Sequence, residues 1–267
     1  MFRLSTVVAP TSLDELVKEF ERAFKFCTSL ELDGVELSIP NPWKVNGKIL
    51  KKIVDSYGLK VSAISTGLGN VWYGWSLSSK NVELRKNAIN AIKKHIDEAV
   101  HLEAPVIIGL IRGLGESPLN NSLSRFKESL IECVKHAELH DVTLLLEPIN
   151  RYETKLINKI KEAKRVIKEI NSKNLKLMVD TYHMNVEESS IGASLIEGKD
   201  LLAYVHIADS NRLAPGYGHI DFKDFLTLLK SIGYDGYLSL EILSIPNFEK
   251  AVKTGVDYLR MIMRFLE

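Results

Sequence analysis

Short apolar runs alternate with amphipathic stretches along the whole chain. In order, the runs predict strands at residues 4–8, 34–37, 60–64, 106–110, 143–146, 175–179, 202–205 and 237–240. The stretches between them carry apolar residues at helical spacing. Val82, Ala88, Ile92, Ile96 and Ala99 share one face of 81–102, and Phe126, Leu130 and Val134 share one face of 123–139. Strands covered on both faces read as unbroken apolar runs, and VIIGLI, TLLL and LKLMV have that form. Eight strand–helix pairs is the count of a closed α/β barrel, the (β/α)8 or TIM barrel. The rival arrangement, an open doubly wound sheet, calls for a glycine-rich first turn, and TVVAPTSLDE offers none.

Pro and Gly are scattered through loops, with no linker, so 1–267 reads as a single barrel domain, a length within the range of such barrels. With 35 basic and 34 acidic residues the net charge is +1, which gives no phosphate-binding stripe and argues against nucleic acid as a partner. No apolar run is long enough to span a bilayer, and MFRLSTVVAP is too short in its apolar part for a signal peptide, so no membrane association and a cytoplasmic location are expected. Cys27 and Cys133 lack metal-type spacing and read as reduced, packed thiols.

The predicted loops after strands three to seven, residues 66–80, 112–121, 148–156, 181–190 and 208–220, would all open on the carboxyl face of the barrel, where active sites form. Four successive strands end there on ligand-capable residues. TLLL runs into Glu147, LKLMV into Asp180, LLAYV into His206 and YLSL into Glu241. Each alone could be a solvated loop charge or a hydrogen-bonded core histidine. Together, three carboxylates and an imidazole on one point would repel without a cation, so a divalent metal is the economical explanation. Oxygen-rich ligation with one nitrogen favours Mn2+, with Co2+ or Mg2+ as alternatives, over a structural zinc site. A few residues beyond these ligands stand Glu153, His183 and Arg212, which read either as ordinary loop polar groups or as contacts to a bound molecule.

The segments EPINRYE, VDTYHMN, HIADSNRLAPGYGHIDF and YLSLE resemble the xylose-isomerase-like sugar isomerases and epimerases, and within them the ketose 3-epimerases of the D-tagatose 3-epimerase type. The resemblance covers the C-terminal half in detail and the whole chain in architecture. It implies that Glu147, Asp180, His206 and Glu241 bind the metal, that Glu147 and Glu241 form the acid/base pair, and that Glu153, His183 and Arg212 hold substrate oxygens. It also implies a homodimer or homotetramer acting on a small sugar or sugar acid. The implied chemistry inverts C3 through an enediolate, one carboxylate taking the proton and the other returning one from the opposite face.

IIGLIRG ends strand four with Arg112, for which a neutral ketose gives no evident use, whereas a keto-acid carboxylate does. That stretch, with INRYET and HMNVEE, resembles the subset converting 5-keto-L-gluconate to D-tagaturonate; otherwise Arg112 would pair with an acid such as Glu116. Trp72, Tyr73 and Trp75 read as loop-packing aromatics or as a cover over a sugar. Two further enzyme readings are a keto-acid or aldose–ketose isomerase of the hydroxypyruvate isomerase type and an abasic-site endonuclease. Seven histidines and near-neutral charge disfavour the latter. A non-catalytic sugar sensor would not need paired carboxylates on a metal.

Overall fold

The structure, a computed structural model, describes residues 2–266. Its elements run β1 (Arg3–Val8), α1 (Leu16–Ser29), β2 (Gly34–Ser38), α2 (Gly47–Ser56), β3 (Lys60–Ser65), α3 (Gly67–Tyr73), α4 (Val82–Leu102), β4 (Val106–Ile108) and α5 (Leu119–His140). They continue with β5 (Leu144–Leu146), α6 (Ile160–Ile170), β6 (Leu175–Asp180), α7 (Thr181–Glu187), α8 (Ile191–Gly198), β7 (Leu202–Ile207), α9 (Phe222–Ser231), β8 (Tyr237–Leu240) and α10 (Phe248–Arg264). The eight strands close in sequence order, and every pairing is parallel, β8 returning to β1 through Arg3–Tyr237 to Thr6–Leu240.

The strand predictions hold to within a few residues. The loops predicted after β3 and β6 instead carry the short helices α3 and α7. Strand four is shorter than its apolar run. After Ile108 the backbone of Gly109 leaves extended geometry, and 110–112 form a 3-10 turn that carries Arg112 inward. Glycine is needed there for space: a Cβ on Gly109 would lie 2.7 Å from Glu147 Oε2.

Two layers of apolar packing position the mouth. The larger fills the gap between strands and helices, with Phe20, Phe24, Phe126 and Phe222 fully buried. A smaller one plugs the barrel axis with Ala63, Ile107, Leu145, Met178 and Tyr204, each from a different strand. Tyr204 also belongs to a polar network within the barrel, where Ser5 Oγ lies 2.6 Å from Ser62 Oγ and Ser62 Oγ lies 2.8 Å from Tyr204 Oη. Cys27 and Cys133 are buried free thiols, and burial pushes both up to about 12, so they pack as apolar groups. No helix among the described residues is long and apolar enough to cross a membrane.

Candidate active site

Asp180, the last residue of β6, is divided in function between its two oxygens. Oδ1 caps α7, accepting from the amides of Tyr182 at 2.7 Å and His183 at 3.3 Å, and leaves Oδ2 buried without a partner. Glu147 follows β5 directly and Glu241 follows β8 directly, while His206 is the penultimate residue of β7, paired with Asp180 across the β6–β7 ladder. In the closed barrel β5 and β8 are three strands apart, so the two glutamates reach the centre from well-separated directions.

The four side chains converge. His206 Nδ1 lies 3.5 Å from Glu147 Oε1, 3.8 Å from Asp180 Oδ2 and 3.5 Å from Glu241 Oε2. All four ligand atoms lie within 4.8 Å of one another. Glu147 Oε1, Asp180 Oδ2 and His206 Nδ1 are buried with no hydrogen-bond partner, an arrangement that is costly unless something fills it. An ion with bonds of about 2.0–2.2 Å bridges such separations. The residues therefore fit a divalent cation on geometry and donor chemistry alike.

The fields within the site follow from its packing. Burial pushes the Glu147 carboxyl up. Burial would raise Glu241 as well, but the Arg212 guanidinium and the His206 imidazole hold it well below the usual carboxylate range. Arg212 Nη2 donates to Glu241 Oε2 at 2.6 Å and its Nη1 lies 3.6 Å from Glu153. Burial acts to lower the His206 pKa, but Glu36 and Glu241 overcome it and raise the imidazole's affinity for a proton well above normal.

Glu36 was not singled out by the sequence reading. It lies in β2, fully buried, and its Oε2 is 2.7 Å from His206 Nε2, 2.9 Å from Tyr204 Oη and 3.1 Å from Ser239 Oγ. Its hydrogen bond places the Nε2 proton of His206 and frees the Nδ1 lone pair to face the three carboxylates. The signal was present: Glu36 is a lone carboxylate inside GVELS, a strand buried at every position. Asp209 was also missed. It is buried and accepts from the amides of Ser210 at 2.7 Å, Gly216 at 2.8 Å and Ile220 at 3.1 Å, folding the loop that presents Arg212.

Glu153, His183 and Arg212 all reach a cavity of about 800 Å3 shared with Glu147, His206 and Glu241. Asn150 Nδ2 lies 2.7 Å from His183 Nδ1 and Arg212 Nη1 lies 3.4 Å from His183 Nε2, so the imidazole is held between an amide and a guanidinium at the cavity, with Nε2 4.0 Å from Glu147. Arg151 grips Glu187 through two bonds of 2.8 Å, fastening the loop after β5 to α7.

Arg112 is a correction. It is fully buried, does not line the cavity, and donates to the carbonyls of Ile108, Gly109, Leu156, Ile157 and, most closely, Glu147. Its charge is thus used to join the ends of β4 and β5 to the following loop, and it is not placed to meet a substrate carboxylate. Nor does it pair with Glu116, which accepts from Ser79 and from the amide of Lys80. The aromatic loop packs on itself and on the turn after β2: Tyr73 stacks on Trp75 at 4.6 Å, and Trp43 of that turn meets Trp75 edge-on at 5.7 Å.

The chain is similar to known proteins. The chain is 30% identical to L-ribulose 3-epimerase of Methylomonas sp. (strain DH-1) over 79% of its own length and 74% of the relative's. It is 31% identical to ketose 3-epimerase of Arthrobacter globiformis over 79% of this chain and 73% of that one. In fold it resembles the crystal structure of D-allulose 3-epimerase from Methylomonas sp., with a TM-score of 0.84 at 24% identity, covering 99% of this chain and 96% of the other. The relatives support a sugar epimerase, an enzyme of the isomerase class. Residues 24–262 match the model of one family, and together with the closed barrel this assigns the chain: it belongs to the xylose isomerase-like TIM barrel family.

Proposed function

We propose that the protein is a divalent-metal-dependent ketose 3-epimerase in which Glu147 and Glu241 move the proton. The observation that carries this reading is the convergence of three unpartnered buried atoms, Glu147 Oε1, Asp180 Oδ2 and His206 Nδ1, beside Glu241 at the mouth of the barrel. A divalent ion held by these four residues, Mn2+ on the oxygen-rich donor set, with Co2+ or Mg2+ as alternatives, would supply Lewis acidity toward the vicinal substrate oxygens and so lower the cost of removing the C3 proton.

The side chains do the rest. One glutamate takes the C3 proton, and the other, arriving from a strand three positions away, returns a proton to the opposite face of the enediolate, so the configuration inverts. The roles exchange with the direction of reaction. The imidazole of His183, the guanidinium of Arg212 and the carboxylate of Glu153 hold the oxygens at the C1 to C3 end. Withdrawal of Arg112 from the cavity removes the reason to prefer a keto-acid, so a neutral ketose is the substrate class proposed. The same reading expects a cytoplasmic homodimer or homotetramer.

The test is proton NMR in D2O with Mn2+-loaded protein and, separately, D-tagatose, D-fructose, D-psicose and 5-keto-gluconate. Deuterium is expected to enter C3 of a neutral ketose as its epimer accumulates. Glu147→Gln and Glu241→Gln should each cut turnover by ~100-fold or more with sugar still bound. Exchange confined to the keto-acid would overturn the substrate class; no C3 exchange by metal-loaded protein would overturn the epimerase.

A further inference from the structure

On the outer helical layer, remote from the mouth, stands a group of ligand-capable side chains for which the epimerase chemistry has no use. Asp97 lies on α4. His136 and His140 lie four residues apart on α5, the helix packed against α4. His136 Nε2 is 2.8 Å from Asp97 Oδ1 and His140 Nε2 is 3.8 Å from the same oxygen. The two imidazole rings are 4.6 Å apart between centroids, and one ligand atom from each residue falls within a 4.8 Å span.

Several features distinguish this group from an ordinary surface ion pair. Residues four apart on a helix project from the same face one turn apart, so the backbone of α5 sets the separation of the two imidazoles with no loop to relax it. Asp97 has no lysine or arginine partner among the described residues; its ion-pair partners are these two rings. The lysine one turn before it, Lys93, is engaged by Glu132. The side chains are 25%, 39% and 44% exposed for His136, His140 and Asp97, so an ion can enter and complete its shell with water.

We infer that Asp97, His136 and His140 form a second metal site, one that takes a transition-metal dication of the zinc class and ties α4 to α5 from outside the barrel. Two imidazole nitrogens and one carboxylate oxygen suit zinc, copper(II) or nickel(II), whereas the mouth offers one nitrogen among carboxylates and suits harder ions. The two sites therefore differ in the metal they select. Because the ligands come from two helices, ion binding adds to the stability of the folded chain. This inference is independent of the reaction proposed at the mouth.

The test uses the full chain with its mouth saturated by Mn2+, titrated with Zn2+ while free Mn2+ is followed by electron paramagnetic resonance. About one Zn2+ per chain is expected beyond any that replaces released Mn2+, and His140→Ala or Asp97→Asn should weaken that further uptake by ~tenfold or more. Cu2+ bound to the same protein should show coupling to two imidazole nitrogens, falling to one in His140→Ala. His140→Ala should leave turnover unchanged, since the residue is far from the cavity. Zn2+ uptake that goes no further than replacing released Mn2+, or that persists undiminished in His140→Ala, would overturn the inference.

Discussion

Glu36 shows how much one buried side chain decides. Without its carboxylate on Nε2, His206 could carry its proton on Nδ1 and aim a donor, not a lone pair, at Glu147, Asp180 and Glu241. Glu36→Gln keeps the volume but offers the imidazole an amide that can donate. Its expected effect is a loss of roughly 10- to 100-fold in Mn2+ affinity, read by calorimetry, with the circular dichroism spectrum kept. Unchanged affinity would show that the tautomer is set by something else. Glu147, Asp180, His206 and Glu241 were legible because each ends an apolar run. Glu36 is less visible because it sits in the middle of its strand and not at its end, and only closure of the barrel brings β2 to within hydrogen-bond reach of β7.

Elements divide according to whether their role is local. The strands and the long helices α4 and α5 were predictable since their periodicity is complete within the segment. Arg112 was not, because three of the carbonyls it serves, those of Glu147, Leu156 and Ile157, lie 35 to 45 residues away in sequence. Arg112→Met should cost roughly 3 kcal/mol or more in urea denaturation, since the carbonyls it serves would be left buried and unpaired. A selective rise in KM for a keto-acid at unchanged stability would restore its substrate role. Inside α4, His95 is buried with both ring nitrogens unpartnered, and burial lowers its pKa to about 3. The unfolded chain, with an ordinary imidazole, binds a proton near pH 6.5 that the folded chain refuses. Stability is therefore full above that pH and declines as pH falls toward 3, by up to roughly 1.4 kcal/mol per unit. His95→Leu should flatten this dependence between pH 6 and 4 in parallel urea titrations; an equal slope in both proteins would refute the assignment.

At the level of the molecule, the mouth joins β5, β6 and β7 through three buried atoms that have no hydrogen-bond partner, beside Glu241 of the β8 end, which Arg212 holds. A metal that binds only the folded state at 100 times its dissociation constant stabilises by about 2.7 kcal/mol, which for a chain of this size raises Tm by about 5–10 °C. Removal of metal by chelation should produce that drop in differential scanning calorimetry, and Mn2+ should reverse it; an unchanged Tm would argue against an ion bridging these strands. The barrel, its strand order and the four residues at its mouth were written in the order of apolar runs and their endings, because a strand buried on both faces needs a continuous apolar segment and a loop-facing carboxylate interrupts it visibly. Which polar groups face one another was not so written. The bond from Glu36 to His206, the burial of Arg112 and the meeting of Asp97 with His136 and His140 join residues far apart in sequence, and such distances exist only once the strands close and the helices pack.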